Sequence, residues 1–421
     1  MTFTNFGFCK EILKAINEQG YKAPTEIQSR VIPLILQKKD ILGRAQTGTG
    51  KTASFMLPLL QLLTSKPSKK KTYKPKVLVL APTRELAMQV YDNAQIYGKH
   101  LPLRSMVVYG GVPIWQQIRK LRRGVDILVA TPGRLLDHVN QKTIDLSSVR
   151  YFVLDEADCM LDMGFIHDIQ KIISYLPEQK QTLLFSATFT KGIEKLAEDL
   201  LHSPEIVQVA EKNAVSEQVK QTMYPVDRAR KSELLVHLIS SQNLQQALVF
   251  TRTKHSADRL LEKLSKEKIA SDVIHGDKSQ AARSRALKRF KLGKTRILVA
   301  TDVAARGLDI QNLPFVFNYE LPFVKSDYIH RIGRTGRAGN TGEAISLVSR
   351  DEVRLLNEIE KLLKKPLEKS TVKGFEIELT GRGSRQNDRR KKAPFYEKFK
   401  NNKRGSFSRT RKPGFKKARR P

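Results

Sequence analysis

Ala45 to Thr52 reads AQTGTGKT, and the residue types and spacing suit one task. Gly48 and Gly50 let the backbone approach a phosphate, Lys51 reaches toward the β- and γ-phosphates, and Thr52 offers a hydroxyl to Mg²⁺. A helix starting there would add the positive end of its dipole. Ala45, Gln46, Thr47 and Thr49 complete the loop as nucleotide-binding positions. The common phosphate-loop pattern begins with Gly where this chain has Ala45, and a Gly-rich loop alone is also an ordinary strand-to-helix turn. A second cluster supports the chemical reading. Asp155-Glu156-Ala157-Asp158 follows directly on the apolar run Tyr151 to Leu154. An acid at a strand end is where a phosphate-loop enzyme holds its metal. Asp155 would bind Mg²⁺, and Glu156 would orient and deprotonate an attacking water. Asp158 stays open between a share in that site and a plain helix N-cap.

Two more groups carry chemistry less specifically. Ser186-Ala187-Thr188 follows the run Thr182 to Phe185, where small hydroxyl residues also serve as strand-end caps. His330-Arg331-Ile332-Gly333-Arg334-Thr335-Gly336-Arg337 is a basic turn, readable as a patch for nucleic-acid phosphates.

The elements that position these residues repeat. Val77 to Leu80 matches Ala247 to Phe250, and Ile127 to Thr131 matches Ile297 to Thr301 letter for letter, both 170 residues on. Each run is short and apolar, the second pair up to its closing Thr, as buried parallel strands are, and each is followed by a polar turn and a helical pattern. Two matches in one register argue against chance. They predict an α/β class with two tandem domains and mostly parallel sheets. The first spans 1–209 and the second 218–379, joined by a polar linker at 210–217. In open parallel sheets ligands bind beyond the carboxyl ends of the strands, where the chemical residues above fall. The second domain has no phosphate loop and no matching acid pair, so it should not hold a second nucleotide in the same way.

Charge identifies the partner class. In 421 residues, 76 Lys and Arg against 42 Asp and Glu give a formal net charge of +34, which predicts a polyanionic partner, most simply nucleic acid. Residues 381–421 hold 17 Lys and Arg with Asp388 and Glu397 as the acids, net +15, and show no periodicity. This stretch reads as a disordered tail. Phe395, Tyr396, Phe399, Phe407 and Phe415 among its cations suit stacking on unpaired bases, although a merely solubilising tail would look similar. At 40% hydrophobic and 28% charged the whole chain is of soluble globular composition. No apolar run reaches the ~20 residues of a membrane span. The first residues lack a signal-peptide pattern. Cys9 and Cys159 have no metal or redox spacing, which excludes a disulfide framework and a zinc finger and fits the cytoplasm.

Taken together, these motifs in this order resemble the DEAD-box RNA helicases from about Phe3 to Phe375. In that family each domain is RecA-like, and the chain would bind ATP with Mg²⁺. The upstream element Gly20-Tyr21-Lys22-Ala23-Pro24-Thr25-Glu26-Ile27-Gln28 fits as well, and Ala45 in place of Gly is usual there. The resemblance implies that Gln28 pairs with the adenine edge and Phe3 stacks on it. It implies that Asp309 contacts the ribose, that Arg334 and Arg337 are arginine fingers, and that Lys51, Asp155 and Glu156 act as described. It assigns Ser186, Thr188 and His330 to coupling between the ATP site and strand separation. The RNA backbone would be gripped by Thr83, Arg84, Gly111, Thr131 and Arg134. Thr251, Arg252, Arg283 with Gln280, and Thr301 with Asp302 would be the second-domain counterparts. ATP and RNA would each favour closure of the cleft, with little base specificity, to part short duplexes or remodel RNA–protein complexes. The short basic tail resembles the RhlE-type branch, which implies ribosome precursors or RNA-decay enzymes as partners of a monomer. A DNA helicase or translocase on the same scaffold, and a non-enzymatic annealing protein driven by the tail, are the competing classes.

Overall fold

The computed structural model describes residues 2–45, 48–64, 74–209, 219–308, 310, 312–336 and 342–377. The expected linker at 210–217, the tail, and Gln46, Thr47, Asp309 and Arg337 lie outside the described residues.

Among the described residues, fourteen strands fall into two sheets. The first sheet holds β1 (Ile41–Arg44), β2 (Val77–Leu80), β3 (Ser105–Val108), β4 (Ile127–Ala130), β5 (Tyr151–Leu154), β6 (Gln181–Ser186) and β7 (Glu205–Gln208). The second holds β8 (Val219–Pro225), β9 (Ala247–Thr251), β10 (Ser271–Ile274), β11 (Ile297–Thr301), β12 (Phe315–Asn318), β13 (Gly342–Val348) and β14 (Glu368–Lys369). The first runs in the order β3-β4-β2-β5-β6-β1-β7 and the second in the order β10-β11-β9-β12-β13-β8-β14. Adding seven to each label of the first order gives the second, so the two lobes share one topology. Every strand pairing in both sheets is parallel.

The repeat seen in the sequence extends to register. Val77 lies opposite Ile127 in the first sheet, and their counterparts Ala247 and Ile297 lie opposite each other in the second. The apolar runs are continuous because both faces of each strand are covered. In β2, Val77 and Val79 pack into one core cluster while Leu78 and Leu80 pack into the cluster on the other face. In β9, Ala247 and Val249 divide from Leu248 and Phe250 in the same way. In β1, Gly43 lies under the Phe185 ring, which a side chain at that position would strike. Parallel neighbours need a crossover, so each helix carries the chain back and the strand ends collect on one side. The two sheets belong to one compact unit, Met1–Leu379.

Candidate active site

A cavity of about 650 Å³ opens at the strand ends between the lobes. The helix Lys51–Thr64 begins at its floor. Gly48 and Gly50 adopt positive φ, +87° and +92°, which only glycine takes without strain. A side chain at Gly50 would also collide with the Gln28 amide. That amide clips the loop to the upstream segment: Gln28 Nε2 donates to the Gly50 carbonyl at 3.2 Å, and Gln28 Oε1 accepts from Thr25 N at 2.9 Å. Thr25 Oγ1 donates to the Thr49 carbonyl at 2.8 Å. Ala45 N donates to the Ser186 carbonyl at 3.1 Å, tying the start of the loop to the end of β6.

Lys51, Thr52, Asp155 and Glu156 all line the cavity. Lys51 Nζ and Asp155 Oδ1 are buried with no hydrogen-bond partner among the described residues. A buried cation and a buried carboxylate oxygen left unmatched are costly, and a phosphate and a metal ion are the groups that would satisfy them. The residues therefore fit ATP and Mg²⁺, and the Thr52 hydroxyl lines the same cavity as the Asp155 carboxylate. Burial pushes the Asp155 carboxyl up to about 6, against the pull of the Lys51 ammonium and with the Glu156 charge adding to the rise. Glu156 sits at φ +55°, a left-handed conformation rare for a side-chain-bearing residue, immediately before the helix Ala157–Asp162.

The second lobe closes the cavity with Gly307, Leu308 and Arg334. Arg334 is 8% exposed, and its Nη1 donates to the Leu308 carbonyl at 2.7 Å. Its position depends on a neighbour. Arg331 is 1% exposed and forms a two-pronged pair with Asp302 at 2.6 and 2.7 Å, while its Nη1 donates to Asn318 Oδ1 at 2.9 Å. The basic turn is thus no uniform phosphate patch. One arginine pins it to the ends of β11 and β12, and another reaches the cleft.

The last acid of Asp155–Asp158 is more than a cap. Asp158 Oδ2 accepts from Ala187 N at 3.0 Å, Thr188 N at 2.9 Å and Thr188 Oγ1 at 3.0 Å. Ser186 Oγ donates to the Thr188 carbonyl at 2.6 Å. Of the expected coupling residues, Thr188 is therefore bonded directly to the acid cluster, and Ser186 joins it through Thr188. From the end of the same helix, Asp162 Oδ2 meets Arg306 Nη2 of the second lobe at 3.4 Å. Arg306 also pairs with Asp327, whose carboxylate lies 4.0 Å from His330 Nδ1. His330 thus lies beside the Asp162–Arg306–Asp327 chain of charges that crosses the cleft.

Phe3 is placed differently from the expectation. It is 5% exposed, stacks on Tyr21 with ring centres 6.4 Å apart and does not line the cavity, whereas Tyr21 does. Of these two rings it is Tyr21 that lines the cavity, with Phe3 packed behind it.

The expected strand-gripping residues are largely engaged with protein. Thr83 Oγ1 caps the helix Arg84–Tyr97 by accepting from Leu86 N at 3.2 Å. The Arg84 guanidinium lies against Gly111, which has φ +82°. Arg134 holds the Val112 carbonyl with two bonds of 3.0 Å. Thr251 Oγ1 points to the Thr253 carbonyl at 3.4 Å. Arg252 pairs with buried Glu352 at 2.8 Å and lies over the Phe323 ring. Arg283 pairs with Glu85 of the other lobe at 2.8 Å, and Gln280 bonds the same carboxylate at 2.9 Å. RNA contact by these side chains requires sharing or exchanging those bonds. Thr131 and Thr301 differ: they occupy matching positions ahead of a helix, and neither hydroxyl caps it. Sequence reasoning placed Tyr21, Glu85 and Arg306 only within motifs, without the contacts they make, and missed Asp162. Their partners are remote in sequence, and no local spacing announces them.

Comparison with known proteins agrees with the geometry. A DEAD/DEAH box helicase model matches residues 25–196 and a helicase conserved C-terminal domain model matches residues 230–339. The chain is 45% identical over 368 residues to the DEAD-box ATP-dependent RNA helicase CshA of Geobacillus kaustophilus, covering 87% of this chain and 78% of that one. It is 43% identical over 369 residues to CshA of Bacillus subtilis, covering 88% and 74%. Among solved structures it resembles S. cerevisiae Dbp5 bound to RNA and ADP BeF3, at 30% identity and TM-score 0.76 over 88% of this chain and 95% of that one. It also resembles the DEAD-box helicase Mss116 bound to ssRNA and UDP-BeF, at 30% identity and TM-score 0.78 over 87% and 78%. The Geobacillus and Bacillus relatives carry the CshA name and do not single out the RhlE-type branch.

Proposed function

The chain belongs to the DEAD-box ATP-dependent RNA helicases, and we propose that it couples ATP hydrolysis to closing and reopening of the cleft between its lobes. Opening and closing would part short RNA duplexes or strip proteins from RNA. One observation carries this reading: Lys51 Nζ and Asp155 Oδ1 lie buried and unmatched in a cavity that Arg334 of the second lobe completes.

Each residue then has a task. Gly48 and Gly50 bring backbone amides to the phosphates, and Lys51 neutralises the β- and γ-phosphates. Glu156 orients the attacking water and takes its proton. Arg334 stabilises charge gathering on the transferring phosphoryl oxygens, with Arg337 as the second finger and Asp309 on the ribose. Mg²⁺, held by Thr52 and Asp155, would supply Lewis-acid neutralisation of the phosphate oxygens. Gln28 and Tyr21 select adenine. Because Arg334 comes from the other lobe, hydrolysis requires closure. A strand bound across both lobes favours the same state, so ATP and RNA strengthen each other's binding reciprocally. The backbone grip falls to Thr131 and Thr301, then Arg84, Gly111 and Arg134, with Thr83, Thr251, Arg252 and Arg283 recruited as their protein bonds rearrange.

Within the family the names of the relatives favour a CshA-type assignment over RhlE. Ribosome precursors and RNA-decay enzymes remain the partners this reading favours, with a monomer acting in the cytoplasm. No described helix is long and apolar enough to cross a membrane.

The decisive assay measures ATP turnover with single-stranded RNA, with DNA of the same sequence, and with neither. Stimulation by RNA alone is expected, together with loss of turnover but retention of ATP binding in Glu156→Gln. Equal stimulation by DNA would move the assignment to a DNA translocase, and normal turnover in Glu156→Gln would remove the catalytic assignment.

A further inference from the structure

Beside the edge strand β3 runs the helix Ile114–Leu121. Gln117 and Leu121 face inward and are buried. Outward stand Trp115, Arg119 and Arg122, spaced i, i+4 and i+7 along one face. Trp115 is 61% exposed and is the one tryptophan of the chain. One residue further on at each step, Gln116, Lys120 and Arg123 line a groove of about 890 Å³ together with Tyr91, Tyr109 and Arg104. No carboxylate among the described residues lines that groove. Among the described residues, Arg119, Lys120, Arg122 and Arg123 are all exposed and none is held in a salt bridge.

Cations at a helix C-terminus complement its dipole, which explains part of this charge. It does not explain a bare indole on the same face, since an aromatic of that size left in water forgoes a large burial gain. Aromatic rings interleaved with cations, without acids, match unpaired nucleic acid, whose bases stack while its phosphates are neutralised. The Gly110–Gly111 turn with Arg84 against it leads directly into this helix.

We propose that this outer face of the first lobe binds unpaired RNA nucleotides beyond the cleft. One base stacks on Trp115, and the adjoining phosphates lie against Arg119, Arg122 and the groove cations. The proposal rests on the chain being an RNA helicase and adds where the flank of a bound strand runs. Neither Trp115 nor these arginines line the ATP cavity, so ATP turnover without RNA should not depend on them.

Trp115 supplies its own probe, because tryptophan emission from the full chain arises at that position alone. Titration with single-stranded oligouridylate should quench it in step with binding followed by anisotropy of labelled RNA. Trp115→Ala should weaken binding by about 5- to 100-fold, and Trp115→Phe should restore most of the loss. Arg119→Gln with Arg122→Gln should lower the slope of log affinity against log salt by roughly 1.4. RNA-stimulated turnover of the wild type is measured alongside. If RNA stimulates turnover but leaves the emission unmoved and Trp115→Ala binds as tightly, the proposal is overturned while the helicase reading stands. Quenching by an acidic peptide but not by RNA would overturn it in favour of a protein partner on the free edge of β3. Absence of any RNA stimulation would remove the helicase reading, and this proposal with it.

Discussion

Arg283 in the second lobe donates through Nη2 to Glu85 Oε2 in the first at 2.8 Å, and the two side chains are 10% and 8% exposed. Gln280 Nε2 occupies the other oxygen at 2.9 Å. Both ends of one carboxylate are thus spent on holding the lobes together. When the lobes part, each group regains water, so the pair acts on closure and not on the fold of either lobe. Leaving one member of such a pair buried alone costs about 2–5 kcal/mol. Glu85→Ala is therefore expected to lower RNA-stimulated kcat/KM by at least about tenfold while each lobe melts as before. A double-mutant cycle with Arg283→Ala separates the pair from its surroundings. Strictly additive losses would show that the contact does not set closure.

Asp155 makes a pH prediction. Its folded-state pKa is raised to about 6 from an ordinary value of 3.8, chiefly by burial. A carboxyl raised in this way contributes stability that is complete below its unfolded pKa and is lost as pH rises through the folded value. In nucleotide-free protein Asp155→Asn removes that penalty. The variant should be more stable than wild type at pH 7.5 by on the order of 3 kcal/mol, with the gap closing toward pH 4. Thermal melts at the two pH values check the sign. Activity runs the other way: a proton on Asp155 would compete with a metal ion, so kcat/KM measured at limiting Mg²⁺ should fall as pH is lowered. A variant no more stable than wild type at pH 7.5 would mean that the buried carboxylate carries no such penalty.

What the sequence revealed and what it hid divide along physical lines. The strands with two covered faces, β2, β4, β5 and their partners β9, β11 and β12, announce themselves as unbroken apolar runs, and the exact repeat Ile127–Thr131 with Ile297–Thr301 supplied the tandem architecture. β1 is interrupted by Gly43, and β3 and β10 are half-covered edge strands, so no run marked them. In the site, Lys51, Asp155 and Glu156 were legible because a phosphate and a metal dictate local spacing. Arg334 came through the family resemblance. Tyr21 was quoted in its motif, but the stacking role went to Phe3, since sequence does not say which of two packed rings faces the cavity. Glu85 and Arg306 were invisible as bridges because their partners are contributed by the other lobe.

Asp158 is expected to separate binding from coupling. Three donors of the 187–188 turn converge on its Oδ2. Hydrogen bonds to a charged group contribute about 1.5–3 kcal/mol each when a partner is removed, and they are not additive. Asp158→Ala should destabilise the first lobe by a few kcal/mol in a urea melt and loosen the link from the acid cluster to Ser186 and Thr188. The KM for ATP should change little, because Asp158 does not line the cavity. The rate gain on adding RNA should shrink. Full RNA stimulation in a folded Asp158→Ala protein would remove this acid from the coupling route.

The basic segment 381–421 should tether RNA without setting the reaction. Its 17 cations against two acids exceed what any patch of the lobes concentrates in so short a stretch. Among the described residues, those that line the ATP cavity all precede position 335. Truncation after Thr380 should therefore leave basal turnover intact and weaken RNA binding. The affinity lost should itself depend on salt, because each phosphate neutralised on a single strand adds ~0.7 to the slope of log affinity against log salt. Binding isotherms between low and physiological salt give that slope for the full and truncated chains. Equal slopes would show that the segment does not contact RNA. A flattened slope with Trp115 quenching preserved would show that the tail and the outer face of the first lobe hold the strand independently.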